Sequence, residues 1–280
     1  MSSFLEQSVY QTIAFFDKLD FCLTAEEISE RLLGSTAVFG EIEMVLSSST
    51  RIGSKGGFYF LSGRDVLVQL RKDREGMHDV LMRKVERYRW IFRMVPGLRA
   101  VYVCNRLAIA QARETSDIDL FVVVRGGRMF TTRFFLLFFL QIFGLRIHPK
   151  KRFGRFCPSF FVDETQLNFE SLLLQPRDQY FAYWVLLLKP VLGRIDLRAA
   201  NPWLTSYFSE DVLRRSLGGV CVDMSRRDAV FFGGALESFL RRWQLKKLSR
   251  KYPDGARPKG VVISDGCLKF HEDDRRHLYV

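Results

Sequence analysis

Two carboxylates stand at the mouth of one of the most apolar runs in the chain, where Asp117 and Asp119 open DIDLFVVV, residues 117–124. On a β-strand, residues two apart share a face, so the pair would stand about 6 to 7 Å apart at Cα while Ile118 turns the other way into a core. Two adjacent carboxylates beside apolar surface repel each other and lose hydration, which is costly unless one keeps a proton or both are compensated. A divalent cation with oxygen ligands is one compensation, and two Mg²⁺ ions about 4 Å apart could be bridged by such a pair. The same residues also fit a plainer arrangement, with Asp117 capping the turn of Glu114, Thr115 and Ser116 and Asp119 on a solvated edge. The run Leu120 to Val124 favours the cation, because it reads as strand buried on both faces rather than as an edge.

The elements around the pair are those of an α/β sheet. LRAVYVC is a β-prone run ending at Cys104, a loop or short helix follows, and DIDLFVVV is the next strand. RGGR makes a turn, residues 131–145 form an apolar helix, and FCPSFFVDE supplies a further strand. Upstream, helices are expected over 9–19, 25–34 and 37–47, the second opened by the capping box TAEE, in which Thr24 and Glu27 cover each other's backbone amides. RIGSKGGFYFL, residues 51–61, reads as a hairpin with a glycine-rich tip. Three helices and a hairpin make a winged-helix-like pattern. Its third helix carries Glu41 and Glu43 but no Lys or Arg, so a structural or protein-contact role suits it better than docking on phosphates.

Residues 65–93 are strongly charged with apolar positions at helical intervals and read as one long or twice-broken connecting helix, stopped by Pro96 and Gly97. Beyond Pro176, helices are expected over 177–192, 202–217 and 226–251, then a β-prone GVVIS and a charged tail from His271. The basic stretch RRWQLKKLSRK reads as a solvated helix face or a nucleic-acid surface, the former preferred. The expected fold class is α/β (α+β). Its parts are a winged-helix-like domain over 1–64, a connecting helix over 65–97, a small mixed-sheet core over 98–175 and a helical C-terminal region over 176–280.

In bulk, 280 residues with 48% hydrophobic content suffice for a real core. The balance of 43 basic against 31 acidic residues, a net charge of +12, favours a polyanionic partner such as nucleic acid, nucleotide phosphates or an anionic surface. Five scattered cysteines without a C-x-x-C pair, and four histidines without H-E-x-x-H, argue against a disulfide framework, a zinc site or a histidine metal centre. The polar start of the chain argues against a signal peptide, so a cytoplasmic protein is expected. FFLLFFLQIFGL, Phe134 to Leu145, is about 12 residues against the roughly 20 that span a bilayer, so a buried helix is expected and no stable membrane insertion. Its basic flank, Arg146 to Arg155, leaves a membrane-surface role open.

A strand, a turn, about ten residues and then SDIDLF resembles the DNA polymerase β-like nucleotidyltransferase superfamily. The wider layout, with the apolar helix after GGR and ANPW at 200–203, resembles bacterial proteins that carry such a domain behind a winged-helix-like unit. The resemblance implies a Mg²⁺-dependent (or Mn²⁺-dependent) nucleotidyltransferase. It would move a nucleoside monophosphate from a nucleoside triphosphate to an acceptor, a nucleic acid or a protein. It also implies Asp117 and Asp119 as metal ligands, Asp163 as the third catalytic carboxylate with Glu164 second, and Asn105, Arg106 and Ser116 against the phosphates. The family has Gly-Ser where this chain has Asn105-Arg106. Asn tolerates a left-handed backbone, and Arg106 either holds phosphate by charge or stands outward at a decayed site. The alternative is a non-catalytic nucleotide- or nucleic-acid-binding regulator derived from that fold.

Overall fold

The computed structural model describes residues 3–174, 177–217 and 234–279. The chain opens with α1 (Ser3–Asp17), α2 (Ala25–Glu30) and α3 (Phe39–Ser48), which bury Val9, Ile13, Phe16, Ile28, Ile42 and Val45 against one another. The capping box forms as expected, with the Glu27 amide donating to Thr24 Oγ1 at 3.3 Å and the Thr24 amide to Glu27 Oε2 at 3.0 Å. Strands β1 (Ile52–Lys55) and β2 (Phe58–Leu61) form the hairpin, and Leu23 bridges to Tyr59 as a further short edge. Gly56 and Gly57 both have positive φ (59° and 81°), as a two-residue turn matched to strand twist requires. The exposed positions of α3 include Glu41, Glu43 and Met44 and no cation.

Helix α4 (Val66–Arg93) is unbroken over 28 residues and lays Leu81, Val85, Ile91 and Phe92 on the sheet. It ends before Gly97, whose φ is +73° and where a Cβ would come within 2.5 Å of Thr132 Oγ1. Then follow β3 (Leu98–Val103), α5 (Asn105–Ala108), β4 (Ile118–Val124), α6 (Met129–Ile142) and β5 (Phe156–Asp163). After them come α7 (Gln179–Leu186), β6 (Lys189–Leu192), α8 (Leu197–Ala200), α9 (Glu210–Leu217), α10 (Gly234–Lys251), β7 (Val261–Ile263) and β8 (Cys267–Phe270).

The main sheet is mixed, in the order β6-β3-β4-β5-β8-β7, with β4 and β5 parallel and every other pair antiparallel. Period-2 alternation divides its side chains between two cores. Tyr102, Phe121, Val123 and Phe160 pack with α1, α2 and α7, while Val103, Leu120, Val122 and Phe161 pack with α4, α6 and α10. Both faces of β4 are covered, as its continuous apolar run implies. No helix among the described residues is long and apolar enough to cross a membrane.

Several expectations need correction. The helix expected over 25–34 stops at Glu30, and 202–217 is not one helix, since Pro202–Ser206 is a 3-10 turn and α9 starts only at Glu210. Residues 177–192 are not one helix, because α7 ends at Leu186 and Lys189–Leu192 pair antiparallel with β3. The region beyond 176 is therefore not simply helical, since β6, β7 and β8 from it complete both sides of the sheet. The helix expected over 226–251 is observed from Gly234, and residues 226–233 lie outside the described residues.

Candidate functional site

Asp119 lies one residue inside β4, opposite Cys157 on the parallel β5. Its carbonyl accepts from the Cys104 amide at 3.1 Å, which ties the end of β3 to the start of β4. Asp117 precedes the strand, on a loop braced from two sides. Ser116 Oγ accepts from the Arg113 amide at 2.9 Å, and the Ser116 carbonyl accepts from the Gly154 amide at 2.8 Å. Ligand atoms of Asp117, Asp119 and Cys157 all lie within 4.8 Å of one another, as the shared face of the two aspartates requires.

Burial pushes the Asp119 carboxyl up to about 6, and the Asp117 charge adds to the shift. Hydrogen bonds from Asn105 and Cys157 and the charge of Arg152 oppose it. Arg152 Nη2 donates to Asp117 Oδ2 at 3.2 Å, but its side chain is 65% exposed and can swing away. The Cys157 thiol is pushed far up by burial and by both carboxylates, so it keeps its proton at neutral pH. Two carboxylates with a thiol beside them make a group of ligand atoms that could hold a metal ion.

Asn105 opens α5 with φ +56°, the left-handed region that Asn enters more readily than most residues. Its Nδ2 donates to Asp119 Oδ2 at 2.9 Å, and its Oδ1 accepts from Trp184 Nε1 at 2.9 Å. The Trp184 ring is clamped by Phe160 and Phe181, each 5.4 Å away between centroids. A chain from Trp184 through Asn105 thus fixes one oxygen of Asp119. Arg106 is exposed and lines the same cavity as the pair.

That cavity is about 1600 Å³, and Asp117, Asp119, Asn105, Arg106, Ser116 and Cys157 all line it. An aromatic ledge of Phe134 and Trp243 (6.2 Å between centroids) and the cations Arg146, Lys247 and Lys251 form another part of its wall. Of the residues expected at the site, Asp163 is the exception. It pairs with Val124, five residues from Asp119, so about 16 Å of strand separates them. Its carboxylate accepts from the Gly127 and Thr165 amides at 2.9 and 2.8 Å and from Thr165 Oγ1 at 2.7 Å. Glu164 is likewise taken by Arg99 and the Gly126 amide. Both close the turn at the opposite end of the sheet.

Cys157, Trp184 and Arg152 were not among the residues expected from sequence. Only Cys157 had a signal: in a parallel pair, the residue beside Asp119 must lie at the start of the next strand, not at its end. Comparison with protein-family models, with curated proteins and with solved structures found no match.

Proposed function

We propose that this cavity is a nucleotidyl-transfer site. It binds a nucleoside triphosphate as a divalent-cation complex and passes the nucleoside monophosphate to an acceptor, a nucleic acid or a protein. The observation that carries this reading is the pair Asp117 and Asp119, of which Asp119 is held largely protonated up to about pH 6 when only the protein surrounds it. Such a pair is costly in a fold unless one keeps a proton or both are compensated, and a bound cation would compensate both at once. A bound Mg²⁺ or Mn²⁺ would neutralise charge on the triphosphate and the departing pyrophosphate.

Within this reading Asp117 and Asp119 hold the cation, and Asn105, itself held by Trp184, orients Asp119. Arg106 on the cavity wall meets phosphate oxygens, and Ser116 shapes the loop that carries Asp117. Asp163 has no part, being bound at the other end of β5.

The test is labelling from each of the four nucleoside triphosphates, radioactive at the α-phosphate, with Mg²⁺ or Mn²⁺ present. Label should transfer with the wild type and be lost in Asp119→Asn, whereas equal behaviour of the two proteins rejects catalysis here. A second reading, a regulator that binds nucleotide without turnover, is favoured by Cys157, a protonated thiol where a third carboxylate could act as base. Calorimetric binding of nucleotide with cation, without any transfer of label, would select it.

A further inference from the structure

Further polar groups line the same cavity, the first of them two residues beyond Cys157 along β5. Ser159 is only 5% exposed, and its hydroxyl is buried with no hydrogen-bond partner. Arg133 on α6 lines the cavity too, its guanidinium 5.8 Å from the Phe161 ring centroid and 5.2 Å from that of Phe270. Arg133 Nη1 donates to Gln244 Oε1 at 2.6 Å, a neutral partner. Gln244 is fixed in that orientation because its Nε2 donates to the Phe130 carbonyl at 2.7 Å. Arg133 Nε is buried and unpartnered, and no carboxylate among the described residues pairs with this guanidinium.

A cationic neighbour makes matters worse, and Tyr252 offsets it only in part. Arg146, whose backbone bridges to Phe156 at the start of β5, lines the cavity as well. Burial, with the Arg146 charge added, holds the Arg133 guanidinium down to about 10. A desolvated cation near a second cation, with an unused buried hydroxyl in the wall of the same cavity, is an arrangement that folding alone does not favour. It becomes favourable when an oxyanion accepts from all three, and the guanidinium fork matches phosphate geometry.

We propose that Arg133, Arg146 and Ser159 form an oxyanion subsite that takes a phosphate group of the acceptor, apart from the cation pair Asp117 and Asp119. The assignment to an acceptor rests on the nucleotidyl-transfer reading; the affinity for phosphate does not. Asp117 and Asp119 repel a bare phosphate and accept one only through a cation, so the two places are separable by leaving divalent ions out.

The experiment titrates the full-length protein with inorganic phosphate, without nucleotide or divalent cation and at ionic strength held constant with chloride. Saturable heat and a rising Tm are expected, retained in Asp119→Asn, reduced at least tenfold in affinity in Arg133→Gln, and weakened in Ser159→Ala. Without phosphate, Arg133→Gln should melt no lower than the wild type, because it removes an unpaired buried charge. An equal phosphate response in the wild type and Arg133→Gln overturns the subsite. If that variant does not fold, unchanged affinity in both Arg146→Gln and Ser159→Ala overturns it instead. Repeating the titration with ATP and Mg²⁺ bound should leave phosphate binding intact; competition would assign these residues to the triphosphate tail and overturn the acceptor role. Phosphate binding that persists while no label is ever transferred would reject nucleotidyl transfer and leave the anion site standing.

Discussion

The Asp119 carboxyl has its pKa raised from an ordinary 3.8 to about 6, so the folded protein holds this proton more tightly than the unfolded chain. The resulting stabilisation is complete below about pH 4 and is lost as pH rises through about 6. Asp119→Asn removes that loss. Without divalent ions it should therefore exceed the wild type in unfolding free energy by about 1 to 3 kcal/mol at pH 7.5, with the gap closing towards pH 4.5 in urea titrations. Added Mn²⁺ should raise the Tm of the wild type and not of the variant. Trp184→Phe keeps the ring stack but strips Asn105 of its donor, so cation affinity measured by calorimetry should fall about three- to tenfold, worth about 1 kcal/mol. At this scale the aspartate pair was legible because two carboxylates open an apolar run, although Asp117 stands on the loop just before β4. The third position was not. Asp163 looked suitable only because a carboxylate ends β5, whereas the parallel β4–β5 pair sets the start of β5 beside Asp119.

Among the elements, α6 and α10 are joined by a carboxylate at a helix start. Glu237 accepts from the Phe130 and Thr131 amides, both at 2.9 Å, which satisfies two free N–H groups of α6 and complements its dipole. Glu237→Gln should cost about 1 to 2 kcal/mol in denaturant unfolding. It should also loosen the wall that holds Arg133, so a larger loss of phosphate affinity than in a remote surface variant is expected. The start of α2 and the end of α4 were readable from a capping box and a glycine stop, as Thr24 and Gly97 illustrate. Strand β6 was not, because YFAYWVLLLKPVL is apolar but for Lys189 and has no period to separate a buried helix from a buried strand. Pro190 was the available clue, and β6 tolerates it as the sheet's outermost strand.

For the molecule as a whole, the N-terminal helices share one hydrophobic core with the sheet. Phe15 stacks on Tyr183 at 4.4 Å, the Tyr183 hydroxyl donates to the Arg31 carbonyl at 2.8 Å, and Leu33 bridges to Phe208. Unfolding should therefore be a single transition that is superimposable by far-ultraviolet circular dichroism and by tryptophan fluorescence, since Trp184 and Trp203 border this core. Two separated transitions would mean that the N-terminal unit folds by itself. The order β6-β3-β4-β5-β8-β7 has a further consequence, for how the protein is made. The wall of the cavity near Asp119 includes Lys269 and His271, yet β8 joins β5 across more than a hundred intervening residues. During synthesis the aspartate pair therefore leaves the ribosome long before β8, two strands away, and the outer edge of β5 stays unpaired until residue 270 has emerged. The candidate site is thus assembled late, and a nascent chain halted before β8 would carry Asp117 and Asp119 without the part of the cavity wall that Lys269 and His271 supply.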